Sequence, residues 1–395
     1  MVYLLSTLSV LGLLASASAR PVDDYPPSGA KAVYFLSNAK ENSVVSLAVA
    51  SDGTLSEGSN TPTGGKGGNG IDGMTNEPSG PDALFSQGSV AVAGNTLVAV
   101  NAGSNTVSLF TINESDPTDL KLIGEPCDTL GDFPLSVGIS AKLSQACVAN
   151  SGTRAGIACF EITPTGLAPL DYELRPFEID QTTPPVGATN TVSHTFFNED
   201  STALLTTVKG DGTAENVGYL SSFPVVDGAV SRDDVRSSPN GTAVLFGSVN
   251  IPGTSSILAT DASFGAAVID VDSCGNGEAV ALVPVEDQMA TCWAAFSETT
   301  GTVFVTDVAV NHVVEIDPTD GSIVDDFHLT NGNAGMIDLA AAGDFVYALA
   351  PGNATASPAI AVLDVSSGKG SAQEIQNYEV ATVMGGNPQG MAVYV

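Results

Sequence analysis

The chain has 395 residues, with 44 Asp and Glu against 12 Lys and Arg and a formal net charge of −32. That field repels nucleic acid, anionic lipid and other polyanions, which excludes them as partners and leaves no call for a membrane. Charged residues make up only 14% of the chain, while 42 glycines and abundant Ser, Thr, Val and Asn suit short strands joined by tight turns. No stretch carries the period of an amphipathic helix.

Residues 1–19 hold no charged side chain, carry an apolar run from Leu8 to Leu14 and end in Ala17-Ser18-Ala19. This pattern predicts a signal peptide cleaved before Arg20, and hence a secreted, extracellular protein. No later apolar run approaches the roughly eighteen residues needed to cross a bilayer. Residues 20–30 read as an N-terminal extension and 31–395 as one domain.

That domain repeats a phrase. Asn38-Ala39-Lys40-Glu41-Asn42-Ser43-Val44-Val45-Ser46-Leu47 returns as Asn101-Ala102-Gly103-Ser104-Asn105-Thr106-Val107-Ser108-Leu109-Phe110, and again from Asp307 to Ile316. Looser copies begin at Asn150, Lys209 and Asp261, and the least regular spans Tyr347 to Leu363. Each copy is an apolar strand ending in a polar residue, a short turn and a second alternating strand, the mark of a β-hairpin. A period of roughly 45 to 60 residues is that of propeller blades. The predicted fold is all-β: a seven-bladed β-propeller with four antiparallel strands per blade. Ala32–Leu36 runs directly into the first hairpin, so blade 1 lacks an innermost strand, and the lone strand at Gly390–Val395 is placed there to close the ring and remove two open edges.

Five cysteines leave at least one unpaired within the chain. Cys147 and Cys159 lie on two strands of one predicted hairpin and form the first candidate disulfide; Cys274 and Cys292, flanking an outer strand, form the second, leaving Cys127 over. Sequons at Asn113, Asn240 and Asn353 fall in predicted loops and are candidate glycosylation sites.

Several strings, in order along nearly the whole domain, resemble a known family: Gly88 to Asn105, Phe133-Pro134-Leu135-Ser136-Val137, Leu204 to Gly210, Thr260 to Gly265, and Cys292-Trp293. The chain is similar to the secreted and bacterial seven-bladed propellers grouped as lactonase or 3-carboxymuconate cyclase-like proteins. It departs from them where the family's frequent Ser-Pro-Asp-Gly turn is replaced by Asn198-Glu199-Asp200-Ser201 and Ser297-Glu298-Thr299-Thr300. The resemblance implies hydrolysis of a lactone, and the secreted relatives look like aldonolactonases.

Asn38, Asn101, Asn150, Lys209, Asp261 and Asp307 share one repeat slot and are expected to ring one face of the channel, where ligands of propellers bind. His194 starts the innermost strand of blade 4, and Asp338 and Gln389 start those of blades 7 and 1. A lactonase needs a base for water and donors for the oxyanion. His194, Asp261 and Asp307 are the candidate bases, with Asn101, Asn150, Lys209, Asp338 and Gln389 the candidate substrate-binding residues. The Asn and Asp side chains have a structural reading too, in Asx-turns. Highly anionic lactones would need clustered cations, so a neutral sugar lactone fits a monomer of this charge better. No cofactor is required, although the acidic composition permits a divalent cation. The competing reading is a non-catalytic extracellular propeller that binds carbohydrate or protein as a cell-wall protein, adhesin or antigen. His312 and His328 are read as solvent-exposed.

Overall fold

A computed structural model describes residues 29–352, 356–380 and 387–395; the predicted signal peptide and the sequon at Asn353 lie outside them. The described residues contain no α-helix and form seven antiparallel sheets. Blade 1 stacks Gln389–Tyr394, Ala32–Leu36, Ser43–Val49 and Leu55–Pro62 from the axis outward, so the C-terminal strand does close the ring. Blade 2 begins at Val90–Ala93, blade 3 at Pro134–Ser140, blade 4 at Val192–Phe197, blade 5 at Leu245–Asn250, blade 6 at Thr291–Ser297 and blade 7 at Ile337–Ala342.

The three inner strands of each blade are sandwiched between neighbouring blades, which explains runs such as Ala-Val-Tyr-Phe-Leu at 32–36, buried at every position. Outer strands such as Gly277–Pro284 have a wet face, and exposed positions alternate along them with partly buried or buried ones. Burying the blade faces against one another is the main stabilising term, at roughly 25 cal/mol per Å² of apolar surface.

One irregularity recurs. In six of the seven blades the inner strand carries one extra residue against the second strand, at Leu135, Ser193, Cys292 and Asp338, between Leu245 and Ser248, and between Gln389 and Ala392. Such bulges free backbone groups from the ladder and re-aim side chains. Blade 2 pairs in unbroken register.

Cys147 and Cys159 are cross-strand partners and form a disulfide, as the hairpin predicts. Cys274 and Cys292 do not pair: Cys274 is exposed and Cys292 is buried at the axis. The strand between them, Gly277–Pro284, spans roughly 26 Å at 3.3 Å per residue, so its two flanks reach opposite faces of the ring. Cys127 is also free.

Deleting Gln389–Val395 would leave Ala32–Leu36 with an open edge and uncover its apolar face. The truncated chain is expected to unfold roughly 10 °C lower or to aggregate. A melting curve within 2 or 3 °C of the full chain would show that closure contributes little.

Candidate functional site at the propeller axis

The connection from blade 1 to blade 2 runs from Thr63 to Ser89, and its last part turns into the channel. Residues 82–87 and Ser89 are buried there. The segment bonds to every other blade. From blade 1, Gln389 Nε2 donates to the Pro81 carbonyl at 3.0 Å, and its Oε1 faces the Leu84 amide at 3.4 Å. Ser86 Oγ donates to the Leu135 carbonyl of blade 3 at 2.8 Å, and the Ser86 carbonyl accepts from Trp293 Nε1 of blade 6 at 3.0 Å. The Gln87 amide donates to the Ser193 carbonyl of blade 4 at 3.1 Å. Gln87 Nε2 donates to the carbonyls of Ser248 in blade 5 and Ala294 in blade 6, while its Oε1 accepts the Ala294 amide at 3.0 Å. The Gly88 amide donates to Asp338 Oδ2 of blade 7 at 3.2 Å.

Space at the axis is tight. A Cβ on Gly247 would stand 2.0 Å from Gln87 Oε1, and one on Gly88, whose φ is +76°, would meet the His194 ring at 3.0 Å. The inner-strand bulges match this arrangement: Leu135 and Ser193 are bulged residues whose carbonyls face the segment, and Asp338 is a bulged residue that meets it through its carboxylate. Blade 2 has no bulge because the segment continues directly into its inner strand.

Besides the Cys292 thiol, which burial raises, four ionisable groups with displaced pKa values are buried around the segment. Burial raises the carboxyl of Asp82, which caps the segment's own turn through the Phe85 amide at 2.8 Å. Burial lowers Lys209, whose Nζ donates to the Phe85 carbonyl at 2.5 Å and lies 4.0 Å from the centre of the Phe246 ring. The two act on each other electrostatically without forming a direct ion pair. Burial pushes Asp338 up to about 7 despite amide donation from Gly88, Leu339 and Met391. Its backbone φ of +49° is in the left-handed region, uncommon for a residue with a side chain and more frequent at functional sites. Burial drives His194 down to about 3; its Nδ1 has no partner and its ring stacks on Phe196 at 4.7 Å.

The structure thus gathers Lys209, His194, Asp338 and Gln389 around one segment. The other slot residues are buried and committed to the loops. Asp307 accepts from the amides of Met289, Ala290, Ala309 and Val310, and Asp261 from those of Ala243, Val244 and Ser263. Asn101 bonds Asn42, Thr63, Thr106 and Ser108, and Asn150 bonds Thr129 and the Gly156 carbonyl. Asn38 clamps Gly68 through both atoms of its amide. Each ties a hairpin turn to neighbouring loop backbone. Sequence reasoning missed Asp82 and Gln87. The available signal was the apolar stretch Ala83-Leu84-Phe85 inside an inter-blade connection longer than hairpin rules require.

Beside the segment a pocket of about 220 Å³ opens between Pro81, Val308, Asn333, Gly335 and Pro351. Among the described residues, no group of three or more His, Cys, Asp or Glu side chains converges in the channel to hold a cation.

The paired pKa displacements set opposite pH slopes. His194 is lowered in the fold, so its stabilisation is complete above about pH 6.5 and is lost as pH falls toward 3. Asp338 is raised, so its contribution is complete below about pH 4 and is lost as pH rises through about 7. His194→Gln is therefore expected to flatten the acid-side loss of stability, and Asp338→Asn the loss toward neutrality. Thermal unfolding of the three proteins from pH 3 to 8 checks this; parallel curves would contradict it.

The sequence matches no known protein-family model and no curated protein. Among solved structures, the chain superposes on a periplasmic gluconolactonase of Pseudomonas aeruginosa with a TM-score of 0.62 at 15% identity, covering 92% of this chain and 99% of that one. It superposes on a protein of Bacteroides fragilis described as a candidate 6-phosphogluconolactonase with a TM-score of 0.57 at 12% identity, covering 92% and 98%. The chain shares the fold of these lactonase-type seven-bladed propellers.

Proposed function

We propose that the chain is an exported lactonase-type hydrolase that opens the ring ester of a neutral sugar lactone at the propeller axis. The observation that carries this reading is the group of buried, pKa-displaced side chains around the axial segment, above all Asp338 at about 7. Displaced ionisable groups cluster where proton transfer is required. In this reading the Asp338 carboxylate takes a proton from water as the water oxygen attacks the lactone carbonyl carbon. Lys209, as ammonium, supports the oxyanion. The oxyanion then collapses, the ring C–O bond breaks, and the proton returns from Asp338 to the leaving alkoxide. His194 stays neutral over ordinary pH and is too weak a base to compete with Asp338. The substrate approaches through the Pro81 pocket, and the depth of Asp338 requires the axial segment to yield on binding.

Substrate charge follows from the local electrostatics. Lys209 is the cation at the axis of a chain with a net charge of −32, so a phosphorylated or polycarboxylate lactone lacks the counter-charges it needs. Export is supported by the leader pattern ending at Ala19 and by the Cys147–Cys159 bridge, which persists in oxidising compartments.

A second reading, carbohydrate binding without catalysis, is favoured by a separate cleft of about 900 Å³ between blades 4 and 5, lined by Asn198, Asp200, Asn250 and Asp272 among others. No aromatic ring lines it for sugar stacking, which ranks this reading below hydrolysis.

Hydrolysis of glucono-1,5-lactone by the purified chain should exceed the spontaneous rate, increase as pH rises toward 7, and fall by about 10²-fold or more in Asp338→Asn. Chelator should leave it unchanged. A wild-type rate equal to background would end the lactonase reading and turn attention to glycan binding at the cleft.

A further inference from the structure

Two of the protein's three histidines lie far from the axis, at the rim of blade 6. His312 opens the third strand, His312–Asp317, and His328 closes the outer strand, Ser322–His328. They are direct cross-strand partners in the register of the pair. Asp326 precedes His328 by two residues and so projects from the same face of the sheet. Contrary to the sequence reading, the His312 side chain is only 1% exposed; those of Asp326 and His328 are 33% and 62% exposed. Burial follows from its place on a third strand, covered by the neighbouring outer strand, in contrast to the turn position expected from the repeat.

His312 Nδ1 is 2.8 Å from Asp326 Oδ1, and His328 Nε2 is 3.6 Å from the same oxygen. All three ligand atoms lie within 4.8 Å of one another, with the rings 5.2 Å apart. A tetrahedral zinc ion, with bonds of about 2.0–2.2 Å, holds its ligand atoms roughly 3.4 Å apart. One separation is shorter than this and one is slightly longer, and His328, at the exposed end of its strand, has the freedom to make the adjustment. Two imidazoles and one carboxylate also form the donor set of open zinc sites, in which a fourth position is left to water.

We propose that His312, Asp326 and His328 form a binding site for one divalent metal ion of the imidazole-preferring kind, such as Zn²⁺. Imidazole selects Zn²⁺, Cu²⁺ or Ni²⁺ over Ca²⁺ and Mg²⁺, which prefer all-oxygen cages. The bound ion ties the outer strand of blade 6 to its neighbour at an otherwise solvent-facing edge. The site is independent of the axial chemistry.

The test uses the full mature chain, stripped with chelator and titrated calorimetrically with Zn²⁺ alone, and in parallel with Co²⁺ followed by its visible absorption. The expected result is one equivalent of tight binding, a higher unfolding temperature with Zn²⁺, and an imidazole-ligated Co²⁺ spectrum. His328→Ala removes an exposed ligand at little risk to folding, and should weaken binding by about tenfold or more; Asp326→Asn should weaken it as well. Excess Ca²⁺ should not compete. Absence of binding, equal binding by His328→Ala, or displacement by Ca²⁺ would each overturn the site, the last two by assigning uptake to the diffuse acidic surface.

Discussion

Seven radial sheets present seven inner strands to one channel, and the inner edge of each is an open edge whose amides and carbonyls need partners. In this protein the chain supplies many of those partners itself. Gln87 is the clearest case, because one side-chain amide bridges blades 5 and 6 through the backbone of Ser248 and Ala294. The inner-strand bulges, the lack of a side chain at Gly247 and the unbroken register of blade 2 all follow from fitting a peptide segment along the axis. The closing strand has the same logic on a larger scale: Gln389–Tyr394 completes blade 1, and Gln389 reaches across to hold the start of the axial segment.

Filling the axis with protein has an electrostatic consequence. Water is displaced from around Asp82, Lys209, His194 and Asp338, so the charged form of each is disfavoured. Without compensation this is destabilising. Asp82 and Lys209 offset part of it in each other, and backbone amides offset part of it at Asp338. His194 has no such partner and stays neutral. The result is a carboxyl poised near neutrality in a dry, structured setting, which is what general acid–base chemistry requires.

The blade pattern, the closing strand and the Cys147–Cys159 pair were legible in the sequence, because each depends on local periodicity or on one hairpin. The positions of His194, Asp338 and Gln389 at the tops of inner strands were legible for the same reason. Less visible was what the slot residues bond to, since spacing along a chain says nothing about distances between blades. Asp307 and Asp261 therefore read as candidate bases alongside the stronger reading as Asx-turn ties, and their amide partners show how their lone pairs are used. The axial segment was hidden because a long connection without periodicity carries no sign of where it packs. His312 misled because its repeat position resembled a turn, and Cys274 with Cys292 because nearness in sequence across an outer strand means distance in space.

The chemistry and packing of the channel both depend on residues 83–88 being a built part of the propeller axis. Hydrogen exchange of the native protein, resolved to the peptide spanning this segment, tests this directly. Protection of the Gln87 and Gly88 amides comparable to that of second-strand amides such as Val305, held between two neighbouring strands, is the predicted result. Exchange as fast as that of the exposed turns would contradict it, and would mean that the channel is open to solvent in the native state.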